Sequence, residues 1–262
     1  MKKPMPLPTD VRLMNMATAL LLVAFVLLTL GGSAWWLIRH PGFALQTITV
    51  QGDVNRNNAF AFRTQVLPKL EGNFFTIDLA KARLAFEAVP WVRVAVVHRD
   101  FPNRLRAVLV EHRPMALWGD EDAGTLINEQ GQVFEATLDD VDAERMPRMK
   151  GPAAESQTVA VMYMALSPRF QALGMEIDLL ELTPRGSWRV QTKQGAQIEL
   201  GRGSRAEILQ RLDVFLTTLK QVTARYGRGT SALASADLRH KDAYALRLHG
   251  VSTVDVVNKK NP

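Results

Sequence analysis

The chain has 262 residues, 47% of them hydrophobic, a net charge of +6 and no cysteine. That length is too great for one small domain and too small for three ordinary ones, and the apolar content is enough to bury a real core. The missing cysteine excludes a disulfide framework and thiolate chemistry, while the basic balance suggests attraction to nucleic acid or anionic lipid.

The first element is the dominant one. Between Arg12 and Arg39 lie 26 residues without a charge, LMNMATALLLVAFVLLTLGGSAWWLI. As a helix they would reach about 39 Å at ~1.5 Å per residue, enough to cross a ~30 Å hydrocarbon core with tilt. A cleaved signal peptide competes, and Gly31-Gly32-Ser33-Ala34 keeps cleavage open. The apolar stretch is long for such a peptide, and Trp35 and Trp36 sit where an aromatic belt belongs. The segment is therefore read as an uncleaved anchor over 13–38. Lys2, Lys3 and Arg12 precede it, which puts residues 1–12 in the cytoplasm by the positive-inside rule. The rest then lies outside, in a bacterium the periplasm, away from chromosome and nucleotide cofactors.

After the span, residues 45–54 read as a strand ended by Gly52-Asp53. Residues 58–70 read as a short helix with Pro68 near its end. A second helix follows to about Ala88, capped by Thr76 or Asp78, with Ile77, Leu79, Leu84, Phe86 and Val89 on its apolar side. Two alternating runs in WVRVAVVHRDFPNRLRAVLVEHRP, split at Pro102-Asn103, predict a hairpin. The order strand–helix–helix–strand–strand describes a small α/β unit over 45–114. Trp91 is read as a core anchor. The five arginines of the hairpin stretch, against one Asp and one Glu, are read as a solvated face close to the bilayer.

The second domain, 115–250, begins with MALWG and a hairpin turning at Glu129-Gln130-Gly131. Residues 138–147 form an acidic loop. A helix is expected from Glu155 to Leu173, broken or kinked by Pro168. Strands at 175–182, 187–193 and 196–201 precede an amphipathic helix from Arg205 to about Arg225. ALASADLRH and DAYALRLHG read as closing strands, and 251–262 as a tail. The fold class is α+β: one N-terminal transmembrane helix, a βααββ domain, and a mixed β domain with packed helices.

Few motifs suggest chemistry. GRGSRA (201–206) fits G-x-G-x-x-A, but its strand belongs to a hairpin and no acid follows at the spacing ribose recognition needs; Ser204 is read as a helix cap. His98 and His112 are a candidate pair across the hairpin, with Asp100 and Glu111 nearby, though surface histidines explain them more simply. No catalytic, cofactor or metal constellation stands out, so no enzyme, cofactor, nucleic-acid or small-molecule role is expected.

Longer stretches do carry a resemblance. ITVQGD, FFTIDLAKARLAFEAVPWVRVAVVHRDFPNRLRAVLVEHRPMALWG, LINEQGQVF, IELGRGSRAEILQRLDVFL and ADLRHKDAYAL occur in the order seen in the bacterial cell-division family FtsQ/DivIB. The resemblance implies a bitopic inner-membrane protein of the septum, with a polypeptide-transport-associated (POTRA) domain and then a β domain. It implies a divisome scaffold that binds FtsB and FtsL through the last β strands, and other division proteins through the POTRA domain. On this sequence the matching stretch is 237–248, with contact candidates Arg239, His240, Asp242, Ala243, Tyr244, Leu246 and Leu248, and with Arg202 as the matching basic residue. His240 departs from a common Tyr, and RLHG from an aromatic ending. Independently of the family, a last strand is often a sheet edge with unpaired amides, where an extended peptide adds a strand. Leu238, Tyr244, Leu246 and Leu248 share one parity there. Alternatives are a POTRA-containing envelope assembly or secretion factor, which would need tandem POTRA units or a barrel, and a stalked periplasmic enzyme.

Overall fold

The computed structural model describes residues 9–52, 54–56, 59–120, 124–136, 142–240 and 243–251. The chain divides into two compact units, Met1–Glu111 and His112–Pro262.

The first unit starts with α1 (Thr9–Arg39). Its window Asp10–Trp36 has a mean hydropathy of 2.3 and no buried residue. Leucines that pack on nothing in the protein are costly in water, roughly 1.5–3 kcal/mol per large side chain, and they fit a lipid surround. The hydroxyls of Thr18 and Thr29 bond back to the carbonyls of Met14 and Phe25, so neither is left unpaired in an apolar phase. The Arg39 guanidinium lies 4.6 Å over the Trp35 ring.

Next come β1 (Thr47–Gly52), α2 (Ala59–Gln65), α3 (Leu79–Glu87), β2 (Val92–Asp100) and β3 (Arg104–Glu111). This is the expected βααββ order. The sheet runs β1-β3-β2, with β1 parallel to β3 and β2 antiparallel to it. A tighter turn at Leu67–Lys69, holding Pro68, follows α2. Asp78 caps α3, accepting from the amides of Ala80 and Lys81. The inner face of α3 is Ala82, Ala85 and Phe86, and Leu84 is 58% exposed. Leu84 was expected inside; two residues from Phe86 is about 200° of helix rotation, so the two side chains face opposite ways. Trp91 is buried, with the Arg56 guanidinium 4.6 Å from its ring. Arg104 and Arg106 lie outward and share Asp100. Arg99 is exposed too, but it also bonds: its Nε and Nη2 donate to the carbonyls of Phe74 (2.8 Å) and Ile77 (2.7 Å). The loop before α3 covers this end of β2, and the arginine pins it.

The second unit holds a nine-stranded sheet in the order β12-β11-β10-β9-β8-β7-β4-β5-β6. Its strands are β4 (Pro114–Trp118), β5 (Thr125–Asn128), β6 (Val133–Glu135), β7 (Arg148–Lys150), β8 (Ile177–Leu182), β9 (Trp188–Thr192), β10 (Gln197–Gly201), β11 (Leu233–Asp237) and β12 (Ala245–Leu248). Two helices, α4 (Ser156–Gln171) and α5 (Arg205–Arg225), pack on it. Val159, Leu166 and Phe170 of α4 join Ile208, Leu212, Phe215 and Leu219 of α5 and the strand interiors in one core.

Strand β7 was not expected. It is short, Arg-Met-Lys, yet it joins the two halves of the sheet by pairing parallel with both β4 and β8. Met149 at its centre is fully buried. Pro168 does not end α4. The helix runs through it, and buried Leu166 and Phe170 on either side offset the lost amide donor. The proposed histidine pair is not formed. His98 stands opposite Arg106 in the β2–β3 ladder. His112 stacks on Phe134 at 4.0 Å and meets the Asn128 side chain within the second unit.

A further correction concerns β10. It forms the expected hairpin with β9, but it also pairs parallel with β11, so β10–α5–β11 is a crossover unit. The G-x-G-x-x-A turn therefore does open a helix after a parallel strand. Its N-terminus is already occupied, however: Glu207 Oε2 accepts from the Ser204 amide (2.8 Å) and hydroxyl (2.9 Å), while Ser204 Oγ accepts from the Glu207 amide. This capping box holds the Glu207 carboxyl below its usual range.

Candidate partner-binding edge

The stretch 237–248 is not one strand. Asp237 ends β11, and β12, which begins at Ala245, runs back antiparallel to it. Strand β12 is the last in the sheet, and among the described residues nothing pairs with its outer side.

The direction of its amides follows from the register. Ser235 pairs with Arg247 but Leu233 with Leu248, so the extra residue, Ala234, lies on β11 and β12 keeps its alternation. The His249 amide donates to Ala232 O at 2.8 Å, toward β11. By period two, the amides of Arg247 and Ala245 also face β11, and those of Leu246 and Leu248 face outward.

The side chains divide differently. Leu248 is buried, and Leu246 and Tyr244 pack against the core. The Tyr244 ring meets Phe215 of α5 edge-on at 5.1 Å, and its hydroxyl lies 2.7 Å from Thr218 Oγ1. These three expected contact residues therefore turn their side chains inward and offer only backbone to the edge. Ala243, Ala245 and Arg247 are exposed, as are Arg239 and His240 on the connection. Asp242 lies outside the described residues. Arg247 and Ala245 were missed as edge residues, although the parity of the neighbouring leucines is enough to put them on the other face.

Arg202 and Arg239, distant in sequence, come together. Gly201 precedes Arg202 at φ +82°, and a Cβ there would sit 3.1 Å from Arg239 Cγ and 3.4 Å from its Cα. Glycine thus lets the connection after β11 cross over the β10–α5 turn. Leu238 N fixes that crossing by donating to Glu199 O at 2.8 Å.

Around the crossing lies a cleft of about 650 Å³, lined by Arg185, Arg189, Glu199, Arg202, Arg211 and Arg239 among others. Two of its arginines are committed. Arg189 bridges Glu199 (2.6 Å) and Glu181 (3.1 Å), tying β8, β9 and β10 together. Arg239 donates through Nε and Nη2 to Asp237, whose carboxyl is held down at about 2, first by the Arg239 side-chain bond. Arg202 differs. Its side chain is exposed, and among the described residues no acid lies within ion-pair distance of it; its carbonyl accepts from Arg211 Nη2 at 2.6 Å. The sequence did not reveal Arg185, Arg189 and Arg211 as cleft residues, because they come from three separate elements.

An open edge with two outward amides suits an extended peptide, and a cation-rich cleft on the same sheet suits an acid. Comparison with known proteins gives the family. Residues 116–239 match the model for the C-terminal region of cell division protein FtsQ/DivIB, and residues 43–112 match the FtsQ-type POTRA domain.

The chain belongs to the FtsQ/DivIB family.

Among its relatives named cell division protein FtsQ, that of Thiomonas arsenitoxydans is 37% identical over 250 residues, 95% of this chain and 91% of the relative. That of Burkholderia pseudomallei is 35% identical over 92% of this chain and 94% of its own length. That of Aliivibrio fischeri is 28% identical over 86% and 83%. The FtsQ/DivIB C-terminal match stops at Arg239, so β12 lies beyond it and the edge rests on this chain's own geometry.

Proposed function

We propose that this chain is a non-enzymatic scaffold of the bacterial division apparatus, anchored in the inner membrane by α1. Its N-terminus lies in the cytoplasm and its two domains lie in the periplasm at the septum. The β domain takes the periplasmic segment of FtsB, and with it FtsL, as an added strand on β12. Arg202 meets an acid of that segment. The POTRA domain contacts other division proteins.

The observation that carries this reading is the unpaired outer edge of β12, with the exposed Arg202 following β10, two strands in from that edge. Backbone pairing supplies affinity without needing the side chains of Tyr244, Leu246 and Leu248, which the core has already taken. Family membership and the apolar α1 support the setting.

A photoreactive amino acid at Arg247, on the exposed face of β12, tests it in growing cells. The expected result is a covalent adduct with FtsB that is absent when the same group replaces Phe60. Depletion of the chain is expected to give filaments with segregated nucleoids. Envelope leakiness without filaments, or adducts only with outer-membrane assembly proteins, would instead make it an envelope assembly factor.

A further inference from the structure

An unbroken series of aromatic contacts runs from the end of α1 across one end of the POTRA domain. Trp36 meets His40 at 5.0 Å, His40 meets Phe43 at 6.4 Å, and Phe43 meets Phe75 at 4.8 Å. Phe75 meets Phe74 at 5.2 Å, and Phe74 meets Phe101 at 5.8 Å. Backbone bonds fix the same end. Phe74 N donates to Phe43 O, the Asn73 side-chain amide donates to Ile38 O in the last turn of α1, and Gln46 N donates to Asn103 O. The β2–β3 turn, Phe75 and the start of β1 therefore surround the point where the chain leaves α1.

Beyond Trp36 itself, two rings of this series are open to solvent: Phe101 is 68% exposed and Phe75 is 43% exposed. Charge accompanies them. Residues 99–106 hold Arg99, Arg104 and Arg106 against one acid, Asp100. Exposed aromatic rings with cations beside them, continuous with the end of an apolar span, are what an interfacial membrane surface requires. The zone between the hydrocarbon core and bulk water is only ~5–8 Å deep on each side. Each step of the ring series from Trp36 to Phe101 is between 4.8 and 6.4 Å, so the aromatic surface continues from the span without a gap.

We propose that this end of the POTRA domain rests on the periplasmic leaflet, with Phe75 and Phe101 in the interfacial layer and Arg104 and Arg106 among anionic headgroups. The inference depends on the reading that α1 spans the bilayer. The contact would fix the tilt of the domain on its anchor and free its distal end for proteins. That distal end carries Phe60, at the start of α2. Strand β1 carries the chain away from the anchor, from Thr47 opposite Arg104 to Gly52 opposite Leu109, before α2 begins.

The absence of cysteine makes the test direct. Single substitutions Phe75→Cys, Phe101→Cys, Phe60→Cys and Leu22→Cys in the full chain each take a fluorescent label. The labelled chains are placed in phosphatidylcholine nanodiscs, with and without phosphatidylglycerol, and a nitroxide headgroup lipid or an acyl-chain nitroxide is added. A label ~5–10 Å into the interface should lose roughly half its emission or more. That loss is expected at 75 and 101 with the headgroup quencher, and not at 60. Phosphatidylglycerol should deepen it at 101. Loss at 22 with the acyl-chain quencher checks the span. No loss at 22 overturns the spanning reading. Loss at 22 with none at 75 and 101 overturns the membrane contact alone, and is the outcome if that surface instead takes a protein. Equal loss in both lipids overturns the part given to the arginines.

Discussion

The β12 edge makes a prediction that separates backbone from side chain. The amide of Leu246 faces away from β11, but its side chain packs on the core. Leu246→Pro therefore removes an outward donor and a partly buried leucine together, whereas Leu246→Ala removes only the leucine. Full burial of leucine corresponds to 2–5 kcal/mol on truncation to alanine, so a half-buried one should cost about 1–2 kcal/mol of stability in both variants. The difference between them appears in binding. A partner carbonyl left without its donor in a dry strand pair loses about 1–3 kcal/mol, or roughly 5- to 150-fold in Kd. Arg247→Pro is the counterpart. Its amide faces β11, so the fold should lose the ladder bond and melt earlier. The assay is calorimetric titration of the FtsB periplasmic segment into the detergent-solubilised chain, beside thermal melts of each variant. Equal affinity for Leu246→Pro and Leu246→Ala would refute strand addition at β12. A cooperative, unshifted melt for Arg247→Pro would refute the assigned amide directions.

Other predictions rest on separate observations. Arg202→Glu should weaken the same titration with no change in melting temperature, because its exposed side chain has no ion pair among the described residues. Asp237 has its carboxyl lowered from 3.8 to about 2, so the stability that Arg239 lends it is complete above about pH 4 and is lost as pH falls through 2. The melting-temperature gap between the parent and Asp237→Asn should accordingly be widest near neutrality and close between pH 4 and 2. Trp91→Ala should cost ~3–5 kcal/mol by denaturant unfolding. Arg104→Gln with Arg106→Gln should fall within about ±0.5 kcal/mol, while Arg99→Gln should cost more than both, since two carbonyls lose their donor.

Much of this architecture is legible without coordinates. The uncharged run of 26 residues, the alternation on either side of Phe101-Pro102-Asn103, and the helical spacing of Ile208, Leu212, Phe215 and Leu219 each report burial along one element. Period and burial are coupled within a single strand or helix, so local pattern suffices. The parity of Tyr244, Leu246 and Leu248 was legible for the same reason. What that parity meant was not. The same alternation describes side chains that meet a partner and side chains that meet their own core, and here α5 has claimed them.

The remaining features depend on what lies opposite. Arg-Met-Lys becomes a strand because β4 and β8 leave a gap that only a backbone can fill. Pro168 is tolerated because the core holds the turns on both sides. Arg99, though exposed, is also a pin because a loop some 25 residues earlier ends within its reach. Arg202 and Arg239 share a cleft because Gly201 has no Cβ to block the crossing. The amino-acid pattern by itself determined the long apolar N-terminal helix, the βααββ order and the faces of the long helices, since each follows from periodicity within one segment. Which strand became the edge, which cleft arginines met an acid and which amides point outward were decided by tertiary structure, because each depends on the neighbour a group meets.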